Sequence, residues 1–147
     1  MKVLVCLFAL FVAANCSIIQ TRPCAGDKSQ SELISVAIEP CESGNCVLHK
    51  GSEASIIIKM KPKSDITSLT TEVKGKIGIY IPFPLQNPDA CATAGLTCPL
   101  KAGQEVTYKF SLPVSKYYPS LSLVVRWRLF DQNKNTQICF EFPTELQ

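Results

Sequence analysis

Apolar and polar residues alternate along most of this chain. From Val73 the odd positions read Val73, Gly75, Ile77, Ile79 and Ile81, while Glu72, Lys74 and Lys76 take the other face. In VTYKFSLP, Val106, Tyr108, Phe110 and Leu112 oppose Thr107, Lys109 and Ser111. In LSLVVRWRLF, Leu121, Leu123, Val125, Trp127 and Leu129 oppose Ser122, Arg126 and Arg128. Ile138, Phe140 and Phe142 share one side of ICFEFP. Ile56, Ile58 and Met60 share one side of ASIIIKMKP, with Lys59 and Lys61 on the other. ELISVAIEP reads the same way, and CVLHK is a shorter, weaker run. A period of two sends successive side chains to opposite faces of an extended strand. About seven half-buried strands are predicted, and no stretch carries a convincing helical period.

Turn-forming clusters separate these runs: Glu42-Ser43-Gly44-Asn45, Lys50-Gly51-Ser52, Lys101-Ala102-Gly103 and Asp131-Gln132-Asn133-Lys134-Asn135. Short strands with apolar inner faces predict an all-β, immunoglobulin-like sandwich of two antiparallel sheets. The Cys…Trp…Cys order of antibody domains is absent, and periodicity does not order the strands.

The first 16 residues stand apart. Lys2 precedes an apolar run over residues 3–14, followed by small residues, which reads as a secretory signal peptide. Cleavage after Ala14 or after Cys16 fits the small-residue rule. The second leaves six of the eight cysteines, an even number for an oxidising compartment. One domain then spans residues 17–147, long enough for a real core. Cys41 and Cys46, and Cys91 and Cys98, are spaced for local staples, which would leave Cys24 and Cys139 to join the two ends. That is one of the fifteen pairings that six cysteines allow.

Charge and chemistry narrow the function. Fifteen basic residues face twelve acidic ones, and no basic run is interleaved with stacking aromatics, so a nucleic-acid partner is not expected. The single histidine, His49, falls at a predicted turn and reads as exposed. A metal site would need several imidazoles or free thiols. Glu39, Glu42, Asp65, Glu72, Glu105 and Asp131 fall on turns and outward strand positions, away from any carboxylate pair. The chain reads as a non-enzyme without metal or cofactor. Lys59, Lys61 and Lys63 lie close together, and Lys74 and Lys76 repeat the pattern. A solvated sheet face protecting an edge strand accounts for them most simply. The sharper reading is a patch for anionic membrane lipid, at about 1 kcal/mol per basic residue.

One stretch resists the bland reading. IPFPLQNPDACATAGLTCPL locks Phe83 between Pro82 and Pro84, then runs into a loop between Cys91 and Cys98. Together with EPCESGNC before it, and LPVSKYYPSLSLVVRW and ICFEFP after it, this order resembles the ML (lipid-recognition) family. That family includes the Niemann–Pick type C2 proteins and the group 2 mite allergens, and the likeness is nearest to arthropod members. It covers essentially all of residues 17–147.

The resemblance implies a sandwich whose sheets splay around an apolar ligand tunnel, with pairs Cys24–Cys139, Cys41–Cys46 and Cys91–Cys98. It implies that Phe83, Val114, Tyr118 and Trp127 line the tunnel, and aligned strand positions add Val36, Ile38, Ile56, Ile58, Ile81, Leu123 and Val125. The implied function is a secreted, monomeric carrier that binds a cholesterol-like sterol and passes it to membranes or a partner sterol transporter. The alternatives are an extracellular carrier of fatty acids or semiochemicals, or an innate-immune binder of microbial lipid. The setting is extracellular, with delivery to the endolysosomal lumen by a route other than a glycan: the one Asn-x-Ser sequence, Asn15-Cys16-Ser17, straddles the end of the leader.

Overall fold

The computed structural model describes residues 17–41 and 46–147. The proposed leader, residues 1–16, and the predicted turn at residues 42–45, Glu42 included, lie outside the described residues. In chain order the strands are β1 (Ser17–Ile18), β2 (Arg22–Pro23), β3 (Ser31–Glu39), β4 (Val47–Leu48), β5 (Glu53–Pro62), β6 (Leu69–Ile77), β7 (Ile79–Pro82), β8 (Val106–Pro113), β9 (Leu121–Asp131) and β10 (Thr136–Leu146). A four-residue helix, α1 (Ala90–Thr93), precedes β8.

Two sheets form the sandwich. One has the order β1-β3-β5-β8; the other runs β2-β10-β9-β6-β7, with β4 added to β10. Pairing is antiparallel throughout except for the short β4–β10 contact. The expected inner faces meet in the core: Val36, Ile56, Ile58, Tyr108, Phe110, Val125, Trp127 and Phe140 are all buried. Among the described residues ten strands rather than seven appear, because the two-residue pieces β1 and β2 are too short to carry a period and the single run from Val73 is two strands.

Among the described residues three disulfides close the frame: Cys24–Cys139, Cys41–Cys46 and Cys91–Cys98. The first pins the segment after β2 to β10 across 115 residues of sequence. The third holds α1, whose first turn is capped by Asp89 accepting from the Cys91 backbone N–H at 3.0 Å.

Several local expectations are corrected. The run from Val73 to Ile81 is two strands, because the chain reverses at Gly78 with φ at +77° and β7 pairs back onto β6. The reversal pairs Ile77 with Ile79 and Gly75 with Ile81, so the odd positions keep a common side. That is why alternation alone missed the turn. In β3 a bulge between Leu33 and Ser35 carries an extra residue. It lets Leu33 pack against the core together with Val36 and Ile38, out of strict alternation.

Asp131 is buried rather than exposed on a turn. Its Oδ1 accepts from the backbone N–H groups of Asn133 and Asn135 at 2.8 and 2.9 Å, and Oδ2 accepts from Gln137 Nε2 at 2.8 Å. Gln137, turned inward at a second bulge, accepts in turn from Ser31 Oγ at 2.6 Å. The carboxylate thus organises the β9–β10 turn from within. The lysines do not form one patch either. Lys59 and Lys61 leave the outer face of β5, whereas Lys74 and Lys76 belong to β6 in the opposite sheet. Both strands lie inside their sheets, so edge protection is not the explanation.

Candidate ligand site at the open end of the sandwich

The apolar inner faces do not close completely. At one end the inner face of the six-stranded sheet is covered by the segment carrying Tyr118 and Pro119 rather than by a strand, and a cavity of about 240 Å³ remains. Gly75, Leu121, Leu123 and Leu146 form its floor; Ile77, Ile81 and Phe83 with its flanking prolines form the wall toward solvent. The lining is almost wholly apolar. About 7 Å further along β9, two residues on at strand spacing, a second void of about 20 Å³ lies between the sheets. Ile38, Ile56, Leu112, Val125, Trp127 and Phe142 enclose it.

Phe83 and Tyr118 meet edge to face across the mouth, ring centroids 5.5 Å apart and planes at 81°. Neither ring is fully buried. The backbone behind Phe83 is fixed from both sides. Its N–H donates to Val73 O at 2.9 Å, and the preceding Pro82 ends β7, an edge strand, where a missing N–H breaks no interior ladder. On the outer face β7 is held by Tyr80. Its hydroxyl donates to Glu141 Oε2 at 2.5 Å, and its ring carries Lys76 and Arg126 at 5.4 and 5.3 Å. The bond to Glu141 is the first cause raising the Tyr80 phenol above its ordinary value. The strand bearing Ile81 is therefore anchored on one face and hangs over the cavity with the other.

The deep end is closed by aromatic packing and by two polar contacts between the sheets that converge on Tyr108. Trp127 Nε1 donates to Tyr108 Oη at 3.2 Å, and Tyr108 and Thr71 share a hydroxyl–hydroxyl bond of 2.7 Å. Burial pushes the Tyr108 phenol well up. Phe110 stacks beside Tyr108 and meets Trp127 edge-on.

The structure gathers the sequence-derived residues in three groups. Phe83, Ile81, Tyr118 and Leu123 surround the mouth. Ile38, Ile56, Val125 and Trp127 line the inner void. Val36 and Ile58, paired across β3 and β5, are buried in the core without lining either space. Val114 is buried but lines neither; its backbone is pinned to Gly51 and Ser52 at 2.6 and 2.8 Å. Gly75, Leu121 and Leu146 were missed. Leu146 is the last residue of β10, and its role depends on β10 running the full length of β9. A larger depression of about 410 Å³ lies on the outer face of the six-stranded sheet around Val124, Pro143 and Lys76, away from the aromatic gate.

No constellation for catalysis or metal binding emerges among the described residues. His49 is exposed, and no group of three potential metal ligands comes together there. No helix among the described residues is long and apolar enough to cross a membrane.

The ML-domain family profile matches residues 19–146. The chain belongs to the ML-domain family. Among curated ML relatives it is 41% identical over 115 residues to NPC intracellular cholesterol transporter 2 homolog a of Drosophila melanogaster, covering 76% of this chain and 78% of that one. It is 37% identical to the ecdysteroid-regulated 16 kDa protein of Manduca sexta, over 84% of this chain and 85% of the relative. It is 33% identical to NPC intracellular cholesterol transporter 2 of Mus musculus, over 95% and 93%. The crystal structure of a Niemann–Pick type C2 protein from Japanese carpenter ant superposes with a TM-score of 0.77 at 26% identity, covering 88% of this ML domain's chain and 100% of the ant protein.

Proposed function

We propose that this ML-domain protein is a carrier that takes a sterol-like lipid into the interior of the sandwich through the Phe83–Tyr118 mouth. The observation that carries the reading is the apolar cavity behind that aromatic pair. The likeness to chains named as cholesterol transporters supports it. Drug-sized ligands occupy pockets of about 300–1,000 Å³, more than the 240 Å³ found here. Entry of a sterol therefore requires the sheets to part along the line from Leu123 through Val125 to Trp127, joining the mouth to the inner void. A sterol burying roughly 400 Å² of apolar surface gains about 10 kcal/mol gross at ~25 cal/mol per Å². Association costs several kcal/mol, which leaves affinity in the micromolar to sub-micromolar range of a carrier that must also release its cargo.

Delivery to a membrane is the finer part of the proposal. Ile77, Ile79 and Ile81 are exposed at the tip and inner side of the β6–β7 hairpin, and Tyr117 stands 83% exposed beside the gate residue Tyr118. Lys76 and Lys116 lie over the rings of Tyr80 and Tyr117. An apolar rim edged with cations suits an anionic bilayer surface. The three disulfides fit an oxidising lumen or the extracellular space.

The closed cavity is also narrow enough to suit a slimmer ligand, which keeps a fatty-acid carrier as the second reading. Native mass spectrometry of the secreted protein, followed by competition between dehydroergosterol and oleate, separates the two. Sterol retained one-to-one and not displaced by oleate is expected. Displacement by oleate moves the assignment to fatty acids, and uptake of neither rules out the carrier. For delivery, Ile79→Glu should slow dehydroergosterol transfer to phosphatidylserine-containing vesicles while equilibrium binding stays unchanged. Equal transfer rates would remove the rim from the mechanism.

A further inference from the structure

Gly75 sits in the interior of β6, paired with Ile81 on one side and Val125 on the other, with no shift of register at either. Glycine weakens a strand interior, since it loses the most backbone freedom and offers nothing to pack. The backbone does not call for it here. The other described glycines, Gly26, Gly51, Gly78, Gly95 and Gly103, all have positive φ, and Gly75 does not. The requirement comes from the space above it. A Cβ at this position would lie 2.8 Å from Phe83 Cε2, 2.8 Å from Leu123 Cδ1 and 3.5 Å from Phe83 Cζ. Carbon atoms pack at about 3.5–4.0 Å, so the ring of Phe83 and the Leu123 methyl occupy the room that a side chain would fill.

We propose that Gly75 is the seat of the Phe83 gate: its missing side chain lets the ring close over the mouth, and so sets how fast ligand exchanges. The inference rests on the reading of that mouth as the ligand entrance. The closed ring is located by three contacts: the Val73 carbonyl on its backbone, the edge contact with Tyr118, and the bare face of Gly75. A methyl at position 75 removes the third. Leu123 is buried in the core and yields little, whereas Phe83 is only half-buried and has solvent to move into. The ring is therefore the group that gives way. Because an unseated gate lowers the barrier in both directions, entry and exit quicken together and the equilibrium constant moves less than either rate.

The test compares wild type, Gly75→Ala, Phe83→Leu and the double variant by stopped-flow transfer of dehydroergosterol and cis-parinaric acid to and from phosphatidylcholine vesicles. A ligand-free readout runs beside it: the NMR shift of the Leu123 δ-methyl, which lies in the ring current of Phe83 in the closed form. Thermal melts check folding, and Gly75→Ala/Leu123→Val carries the exchange-rate test should the single variant not fold. Expected are both rates at least fivefold faster in Gly75→Ala, loss of the Leu123 ring-current shift as in Phe83→Leu, and less than a twofold further change when Gly75→Ala is added to Phe83→Leu. Unchanged rates in Gly75→Ala, an equal effect in the Phe83→Leu background, or an intact Leu123 shift overturns the seat while leaving the carrier reading in place. Uptake of neither probe by the wild type overturns the carrier reading, and the exchange role of Gly75 with it.

Discussion

Replacing Phe83 with alanine tests the mouth most directly. The ring is half-buried, touches Tyr118 edge-on and covers Gly75 and Leu123. A fully buried Phe→Ala change costs about 3–5 kcal/mol. With part of its surface already in water, Phe83 should cost about 1–2 kcal/mol, including the aromatic pair. In a domain of this size that lowers Tm by roughly 3–8 °C, so the variant remains folded. The effect on ligand is separate. Without the ring, about 60–80 Å² of bound apolar ligand is returned to water, or roughly 1.5–2 kcal/mol at ~25 cal/mol per Å². Dehydroergosterol affinity should fall about 10- to 30-fold. Fluorescence titration gives the affinity, and a urea melt on the same preparation gives the stability. A folded Phe83→Ala protein with unchanged Kd would refute the assignment of this mouth as the entrance.

Three further outcomes follow from the frame around the site. Removing Cys24–Cys139 by paired serine substitution opens a closed loop of 115 residues and should cost about 4–5 kcal/mol in the chain-entropy model, against about 2 kcal/mol for Cys41–Cys46; equal losses in urea melts would contradict that account. Tyr108→Phe leaves the Trp127 indole N–H and the Thr71 hydroxyl without their partner and should destabilise by about 1–3 kcal/mol. Because burial raises the Tyr108 phenol in the fold, the unfolded chain ionises first as pH rises past 10.0, and stability should fall there by up to about 1.4 kcal/mol per pH unit more in wild type than in Tyr108→Phe. Melts at pH 9 to 11 that run parallel would show that the group is not shielded. Asp131→Ala strands two backbone N–H groups and the Gln137 amide and should cost about 2–3 kcal/mol; a loss below ~0.5 kcal/mol would mean that water replaces the carboxylate.

What the sequence determined by itself was the alternation. A period of two assigns each side chain to a face without reference to any partner, so Ile56, Ile58, Val125, Trp127 and Phe140 could be placed inward from local order alone. Proline around Phe83 and the cysteine spacing were equally local signals. Tertiary structure decided the features that depend on which segment lies opposite. The reversal at Gly78 preserves the parity of the odd positions, so no periodicity betrays it. Asp131 looks like a turn residue until Gln137 and two backbone N–H groups converge on it. The lysines of β5 and β6 share a spacing but face opposite directions, because their strands belong to different sheets. Gly75 reads as an unremarkable alternation position until Phe83, eight residues later, folds back onto it. Faces are a property of the strand, whereas a cavity is a property of what fails to meet across it.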